Sequence, residues 1–231
     1  MHQLTDKKTK LFMYVLIFIM LSTQISIDTN TKKKLNHGVS NIKVLGLSNN
    51  NNFEVSKSLN SLLFKNILFL KKNDLVNILS KNSLIEEFNI KKFYPNKIII
   101  DIKKTNFLAI TNKDNKSFYI GSNGKLIDVK NHQNHNKKLP FVFSKNDYQD
   151  FIVLKKIIDK SKFNFEEIES FYYFPSKRWD IKTLDGLLIK LPEINILDSL
   201  ELAYAIKVKK KFNTNKIIDL RVSNNIILSN E

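Results

Sequence analysis

Apolar residues run almost unbroken from Leu11 to Leu21, and nowhere else does the chain go so long without polar positions. The run continues weakly to Ile27 across Ser22, Thr23 and Gln24, and a short tail carrying Lys7, Lys8 and Lys10 precedes it. A spanning helix needs roughly 17 to 25 mainly apolar residues. The pattern therefore predicts a single N-terminal transmembrane helix at 11–27, behind a cytoplasmic tail at 1–10. The rival reading is a cleaved secretory signal, which shares the basic start but calls for small residues at its cleavage site; no Ala-x-Ala pattern follows here. Either reading exports the rest of the chain. Lys32, Lys33 and Lys34 match the near-side lysines, so charge alone leaves the orientation open. Long domains cross largely regardless of charge, and the expectation is a body outside the cytoplasm.

A polar, lysine-rich linker is expected at 28–38, after which the period of the apolar positions changes. Val39 to Leu45 reads as a strand ended by Gly46, and Asn49 to Asn52 as a helix-capping loop. Val55, Leu59, Leu62 and Leu63 follow the spacing of one buried helical stripe. A second helix is predicted from Asn73 to about Asn82, burying Leu75, Ile78 and Leu79. Strands follow at Ile85 to Phe93 and Lys97 to Lys104, around a break at Tyr94-Pro95-Asn96, with Ile98, Ile100 and Ile102 alternating with their neighbours. The result is a β-α-α-β-β unit with two helices on one face of a small mixed sheet. Further on, Asn123-Gly124 and Asp185-Gly186 mark tight turns next to alternating runs, the strongest short-range hairpin signal.

Composition narrows the function. A formal net charge of +16 would ordinarily point to nucleic acid or an anionic surface. The excess is nearly all lysine, spread from end to end, and Arg178 and Arg221 are the only arginines. Base recognition leans on arginine forks and stacking aromatics, so no nucleic-acid partner is expected, although a basic exterior suits anionic lipid or acidic partners. Cysteine is absent. His2, His37, His132 and His135 lie in tail or loop segments, and His132-x-x-His135 lacks nearby carboxylate or thiol ligands. Glu86-Glu87 and Glu166-Glu167-Glu169 lack a catalytic partner at readable spacing and read as solvated faces. The expectation is a non-enzyme with no catalytic residues, cofactor, metal or small-molecule substrate.

The β-α-α-β-β unit resembles a POTRA domain, which commonly opens with I-x-V-x-G, here Ile42-Lys43-Val44-Leu45-Gly46. Its closing strand commonly follows a Pro turn, here Tyr94-Pro95-Asn96-Lys97-Ile98-Ile99-Ile100. One such unit behind one N-terminal anchor resembles the bacterial cell division family FtsQ/DivIB, and later marks match that family. They are Gly124-Lys125-Leu126-Ile127-Asp128, Leu139-Pro140, and Arg178-Trp179-Asp180-Ile181 followed by Asp185-Gly186 and Leu187 to Pro192. Ile217-Ile218-Asp219-Leu220-Arg221 completes the set as a step into the last strand.

The resemblance implies an α+β chain: a transmembrane helix, a POTRA domain at 39–106 and a mostly antiparallel β-rich domain with flanking helices at 107–231. It implies a bitopic scaffold of the divisome, in the inner membrane at the division site with a periplasmic body, leading to septal peptidoglycan synthesis. FtsB, paired with FtsL, is the implied partner beside other divisome proteins. The contact falls on a final strand at about Ile217 to Ser229, at Arg221, Val222, Ile226, Ile227, Leu228, Ser229 and Asn230. Some relatives carry aromatic anchors where this chain has Val222 and Asn230. If that strand is a sheet edge, its unpaired backbone can accept a partner strand, and a proline at Ile227 is expected to abolish FtsB binding while leaving the protein folded and inserted. The alternatives are an exported POTRA-containing assembly or secretion factor and a cytoplasmic nucleic-acid binder.

Overall fold

A computed structural model describes residues 7–23, 38–132, 138–144, 148–208, 217–222 and 225–230. The chain divides into two compact units, residues 1–36 and 37–231. In the first, helix α1 runs from Lys7 to Thr23, 17 residues, with Leu11 to Leu21 exposed. The expected transmembrane helix is overturned: among the described residues no helix is long and apolar enough to cross a membrane. The physical reason is length. The first turn is spent on Lys7, Lys8 and Lys10, and the apolar part reaches only about 16 Å against a hydrocarbon core of about 30 Å. Residues 24–27 of the expected anchor, most of the 28–38 linker and the start of the tail lie outside the described residues.

The second unit opens with the expected β-α-α-β-β order: β1 (Asn41–Leu45), α2 (Asn49–Ser58), α3 (Lys72–Leu79), β2 (Ile85–Phe93) and β3 (Lys97–Lys104). β3 is central, parallel to β1 and antiparallel to β2. Val44, Val55, Leu59, Leu62, Leu75, Leu79, Ile98, Ile100 and Ile102 close a core between helices and sheet. The first helix is shorter than its stripe predicts. Four asparagines open α2, a residue type whose side chain competes for backbone hydrogen bonds; the helix stops at Ser58, and a 3-10 turn over Asn60–Leu62 still buries Leu62. α3 also ends early, at Leu79, where Asn82 Oδ1 accepts from the Leu84 N–H at 2.9 Å and turns the chain into β2. Between the helices, the Lys92 ammonium donates to the carbonyls of Ile67 (3.1 Å) and Leu70 (2.5 Å), pegging the connecting loop to β2.

Nine further strands form one sheet: β4 (Phe107–Lys113), β5 (Lys116–Gly121), β6 (Leu126–Asp128), β7 (Phe141–Phe143), β8 (Ile168–Tyr173), β9 (Trp179–Thr183), β10 (Leu188–Lys190), β11 (Ile217–Asp219) and β12 (Ile227–Ser229). Their spatial order is β12-β11-β10-β9-β8-β7-β4-β5-β6. The sheet is mostly antiparallel, as expected, with three parallel pairs among its eight. β10–β11 and β8–β7 are parallel because helices α4 (Gln149–Ile158) and α5 (Ile196–Val208) serve as crossovers from β7 to β8 and from β10 to β11, and β7–β4 is parallel after the chain passes through β5 and β6. Both helices bury apolar faces, Phe151, Leu154 and Ile158 on α4, Leu200, Ala203 and Ile206 on α5, in one cluster with the sheet. At its centre is a cross-strand row, Val142, Phe171, Ile181, Ile189 and Ile218, each paired with the next and each at most 2% exposed.

The two sheets are joined at Thr105 and Asn106. The Thr105 N–H donates to Leu84 O (2.9 Å), Ser122 N–H donates to Asn106 O (2.8 Å), and Asn123 Nδ2 donates to Ser83 O and Ile85 O (both 2.9 Å). Leu84, Tyr119 and Ile127 form a small dry cluster beside these bonds.

Gly46 fixes the exit of β1. Its φ is +106°, and a Cβ there would lie 1.8 Å from the carbonyl oxygen of Ile102. Gly46→Ala is expected to destabilise the protein by about 2 kcal/mol or more, measured as a lower urea midpoint; an unchanged midpoint refutes the close approach.

Candidate functional site

The expected final strand is two strands, not one. β11 lies inside the sheet and β12 lies at its edge, because Arg221 turns the chain between them. Its guanidinium grips Asp219, with Nε 2.8 and 2.9 Å from the two carboxylate oxygens and Nη2 at 2.5 Å, while its N–H donates to Asp219 Oδ1 at 3.1 Å. Ile227, Leu228 and Ser229 form β12, Ile226 and Asn230 flank it, and Arg221 and Val222 stand in the turn. Val222, Ile226 and Ile227 are exposed.

Register decides which backbone groups of β12 are offered. The Leu220 N–H donates to Lys190 O at 2.9 Å, so Ile218 and Leu220 direct their backbone polar groups toward β10, and Ile217 and Asp219 direct theirs toward β12. The pairs Ile217–Ser229 and Asp219–Ile227 are then the hydrogen-bonded ones, and Leu228 lies opposite Ile218 in the non-bonded pair. The Leu228 N–H and C=O consequently face outward from the edge, as do the flanking groups of Ile226 and Asn230. Ile227 faces inward. A proline at Ile227 therefore breaks the β11–β12 hairpin itself, a correction to the expectation that it would touch only the partner's side.

A second row of side chains runs to this edge on the face opposite the α4–α5 core. Phe143, Tyr172, Asp180, Lys190, Asp219 and Ile227 are cross-strand neighbours in that order. Phe143 and Tyr172 stack at 4.8 Å with planes 3° apart. Asp180 is buried, and neither its Oδ1 nor Arg178 Nε has a hydrogen-bond partner among the described residues. Burial raises the Asp180 pKa against the pull of Arg178, Lys190 and Arg221. Asp219 moves the other way, lowered chiefly by the Arg221 hydrogen bonds. A cavity of about 330 Å³ beside the row is lined by Tyr172, Phe174, Asp180, Lys182, Leu188 and Ile217.

This charged row escaped the sequence reading. Its signal was present as Asp180, Lys190 and Asp219, each one position out of phase with an apolar residue of a strand; knowing that the three align requires the strand order. Of the remaining candidates, His132 is half-buried, its pKa lowered by burial and by Lys104 against Asp128, whereas His135 lies outside the described residues. The carboxylate clusters enter surface ion pairs, Glu86 and Glu87 with Lys103, Glu167 with Lys207 and Glu169 with Lys182.

These features define a two-sheet mixed α/β protein whose candidate site is a strand edge with a charged row behind it. A family model described as "Cell division protein FtsQ/DivIB, C-terminal" matches residues 109–221, from β4 to the Arg221 turn. Cell division protein FtsQ of Rickettsia felis is 28% identical over 218 residues, covering 93% of this chain and 80% of the relative. FtsQ of Rickettsia conorii is 29% identical over 197 residues, 84% and 73% respectively. Cell division protein DivIB of Clostridium tetani is 30% identical over 97 residues, 41% and 37%. Residues 109–221 are the C-terminal domain of the FtsQ/DivIB family of cell division proteins, and the FtsQ relatives extend the similarity over most of the chain. That places its role in the cell division machinery, in a family of division-site membrane proteins.

The opposed shifts of the two aspartates give opposite pH responses. Asp219, lowered, adds stability above the ordinary aspartate pKa and loses it as pH falls through its folded value. Asp180, raised, adds stability only below the ordinary value and loses it as pH rises through its folded one. At neutral pH Asp219→Asn should cost about 1 kcal/mol, after discounting for the exposed guanidinium, and Asp180→Asn should stabilise. Both differences should shrink in acid; urea melts at neutral and acidic pH read them, and a destabilising Asp180→Asn at neutral pH contradicts the assignment.

Proposed function

We propose that this protein is a non-enzymatic scaffold of the divisome that binds FtsB, paired with FtsL, by accepting a strand on β12. The observation that carries the reading is the outward-facing backbone of Leu228 on the last strand of a nine-stranded sheet. An unpaired edge binds another chain through main-chain hydrogen bonds, and alternating side chains select it. Here Ile227 and Ser229 offer the face shared with Asp219 and Lys190. Leu228 points to the core, against which it packs. Arg221 acts as the brace that presents β12: its side chain is held by Asp219, so its part in binding is to fix the turn.

On this reading the body, a POTRA-type unit at 39–106 followed by the β-rich domain at 107–231, works on the periplasmic side of the inner membrane at the division site. It links early to late division proteins for septal peptidoglycan synthesis and contributes geometry, with no catalytic group. The family match and the Rickettsia relatives support the divisome assignment over a secretion or assembly factor.

Leu228→Pro removes an outward N–H and places a ring where the incoming strand lies. It should lower capture of an FtsB–FtsL complex by the full chain at least about tenfold, whereas Leu228→Ala, with the same packing loss, retains most binding. Trp179 fluorescence checks that the core is intact. Equal binding by Leu228→Pro and wild type rejects strand addition.

A further inference from the structure

The end of the first sheet where the chain enters carries a cluster of exposed aromatic and aliphatic side chains. Three segments meet there. The Val39 N–H donates to Lys65 O at 2.9 Å, Phe64 N–H donates to Val39 O at 2.8 Å, and Ser40 N–H donates to Asn96 O at 2.9 Å. Lys92 holds the loop 67–70 against the same end. On this pinned framework Phe64 is 81% exposed, Phe69 80%, Tyr94 62%, Leu68 55% and Phe93 47%.

Buried neighbours show that the exposure is built and not a sign of loose packing. Ile67 and Leu70, from the same loop, are in the core, so the loop sorts its apolar residues into two inward and three outward. Phe64 has a φ of +67°, a left-handed conformation rarely adopted by a bulky side chain. It is held there by its N–H bond to Val39. Backbone of that kind persists where surrounding structure over-determines it, and it clusters at functional positions.

Charge says what covers the patch. Lys65, Lys71 and Lys72 are exposed on and next to the loop, and Lys97 Nζ lies 5.9 Å from the Phe93 ring centroid. The acidic side chains nearest in sequence are both engaged, Asp74 by the Lys71 N–H at 3.1 Å and Asp101 by Lys91 Nζ at 2.9 Å. Phe and Leu side chains beside lysines match a surface that lies in the interfacial region of a bilayer, the Tyr94 ring suits the headgroup level, and each lysine near an anionic surface gains about fivefold in affinity. Gly38, paired with Asn66, is the first described residue at this end of the sheet.

We infer that the loop 64–70 together with the 93–97 turn is a membrane-contact surface for anionic lipid, which seats the first sheet against the bilayer at its chain-entry end. The surface is separate from the β12 edge and does not depend on the partner reading.

The test places a reporter in the patch of the full chain, so that membrane attachment by the apolar N-terminal segment cannot imitate the result. Phe69→Trp adds one indole to the buried Trp179. Its emission should shift to the blue and lose access to iodide on vesicles of phosphatidylcholine with roughly one-third phosphatidylglycerol. Pure phosphatidylcholine should leave it unchanged, and high salt should reverse the shift. Adding Lys65→Gln, Lys71→Gln and Lys72→Gln should lower the inserted-to-exposed ratio about fivefold per lysine. An unshifted reporter on anionic vesicles, or an equal shift on neutral ones, overturns the inference. So does shielding that grows with protein concentration without lipid, which assigns the patch to a second copy of the chain.

Discussion

The row of Val142, Phe171, Ile181, Ile189 and Ile218 is the constraint on which the larger sheet depends. These five side chains come from five strands, and each must face α4 and α5. Shifting any strand by one residue would exchange its row member for Phe143, Tyr172, Asp180, Lys190 or Asp219. Burying any of the three charges in the core costs several kcal/mol more than it returns, and each displaced apolar side chain forfeits about 1.5–3 kcal/mol of burial. The register of β7 to β11 is therefore fixed from inside, and the position of β12 follows from it.

The same alternation separates stability from interaction. One face of each strand is spent on the core; the other is free to carry a stacked aromatic pair, a buried carboxylate and an arginine-braced turn without disturbing packing. Toward β6 that outer face is closed by the cluster of Leu84, Tyr119 and Ile127 against the first sheet. Toward β12 it stays open, which is why the candidate site sits at that end.

Local patterns were read well from the residues alone. The strands 85–93 and 97–104 carry their period-two alternation openly, and the glycine turns at 124 and 186 mark real hairpins with φ of +74° and +87°. Three kinds of feature were not legible. Helix length depended on weak propensities, so Asn49 to Asn52 shortened a helix whose apolar stripe runs further. Hydrophobicity along the N-terminal run fades only gradually toward Ile27, whereas α1 spends its first turn on lysines. Strand order was hidden as well: parallel pairs made by α4 and α5 are set by non-local packing, and without them neither the split of the last strand nor the charged row behind β12 can be foreseen.

β7 has a mechanical role that its three residues conceal. It meets β4 through a single ladder pair, Ile110 with Phe141, supplemented by the Ile110 N–H to Pro140 O at 2.9 Å and Thr111 Oγ1 to Val142 O at 2.8 Å. On one side of that seam lie β4 to β6 and the first sheet, where the chain enters; on the other lie β7 to β12, ending at the open edge. The ladder there offers few bonds, so a pull between those two ends is shared with the packing of Ala109 and Ile120 beside Phe151 and with the Gln149 side chain on Asn123 O at 3.1 Å, and the hydroxyl of Thr111 acts as one rivet among them.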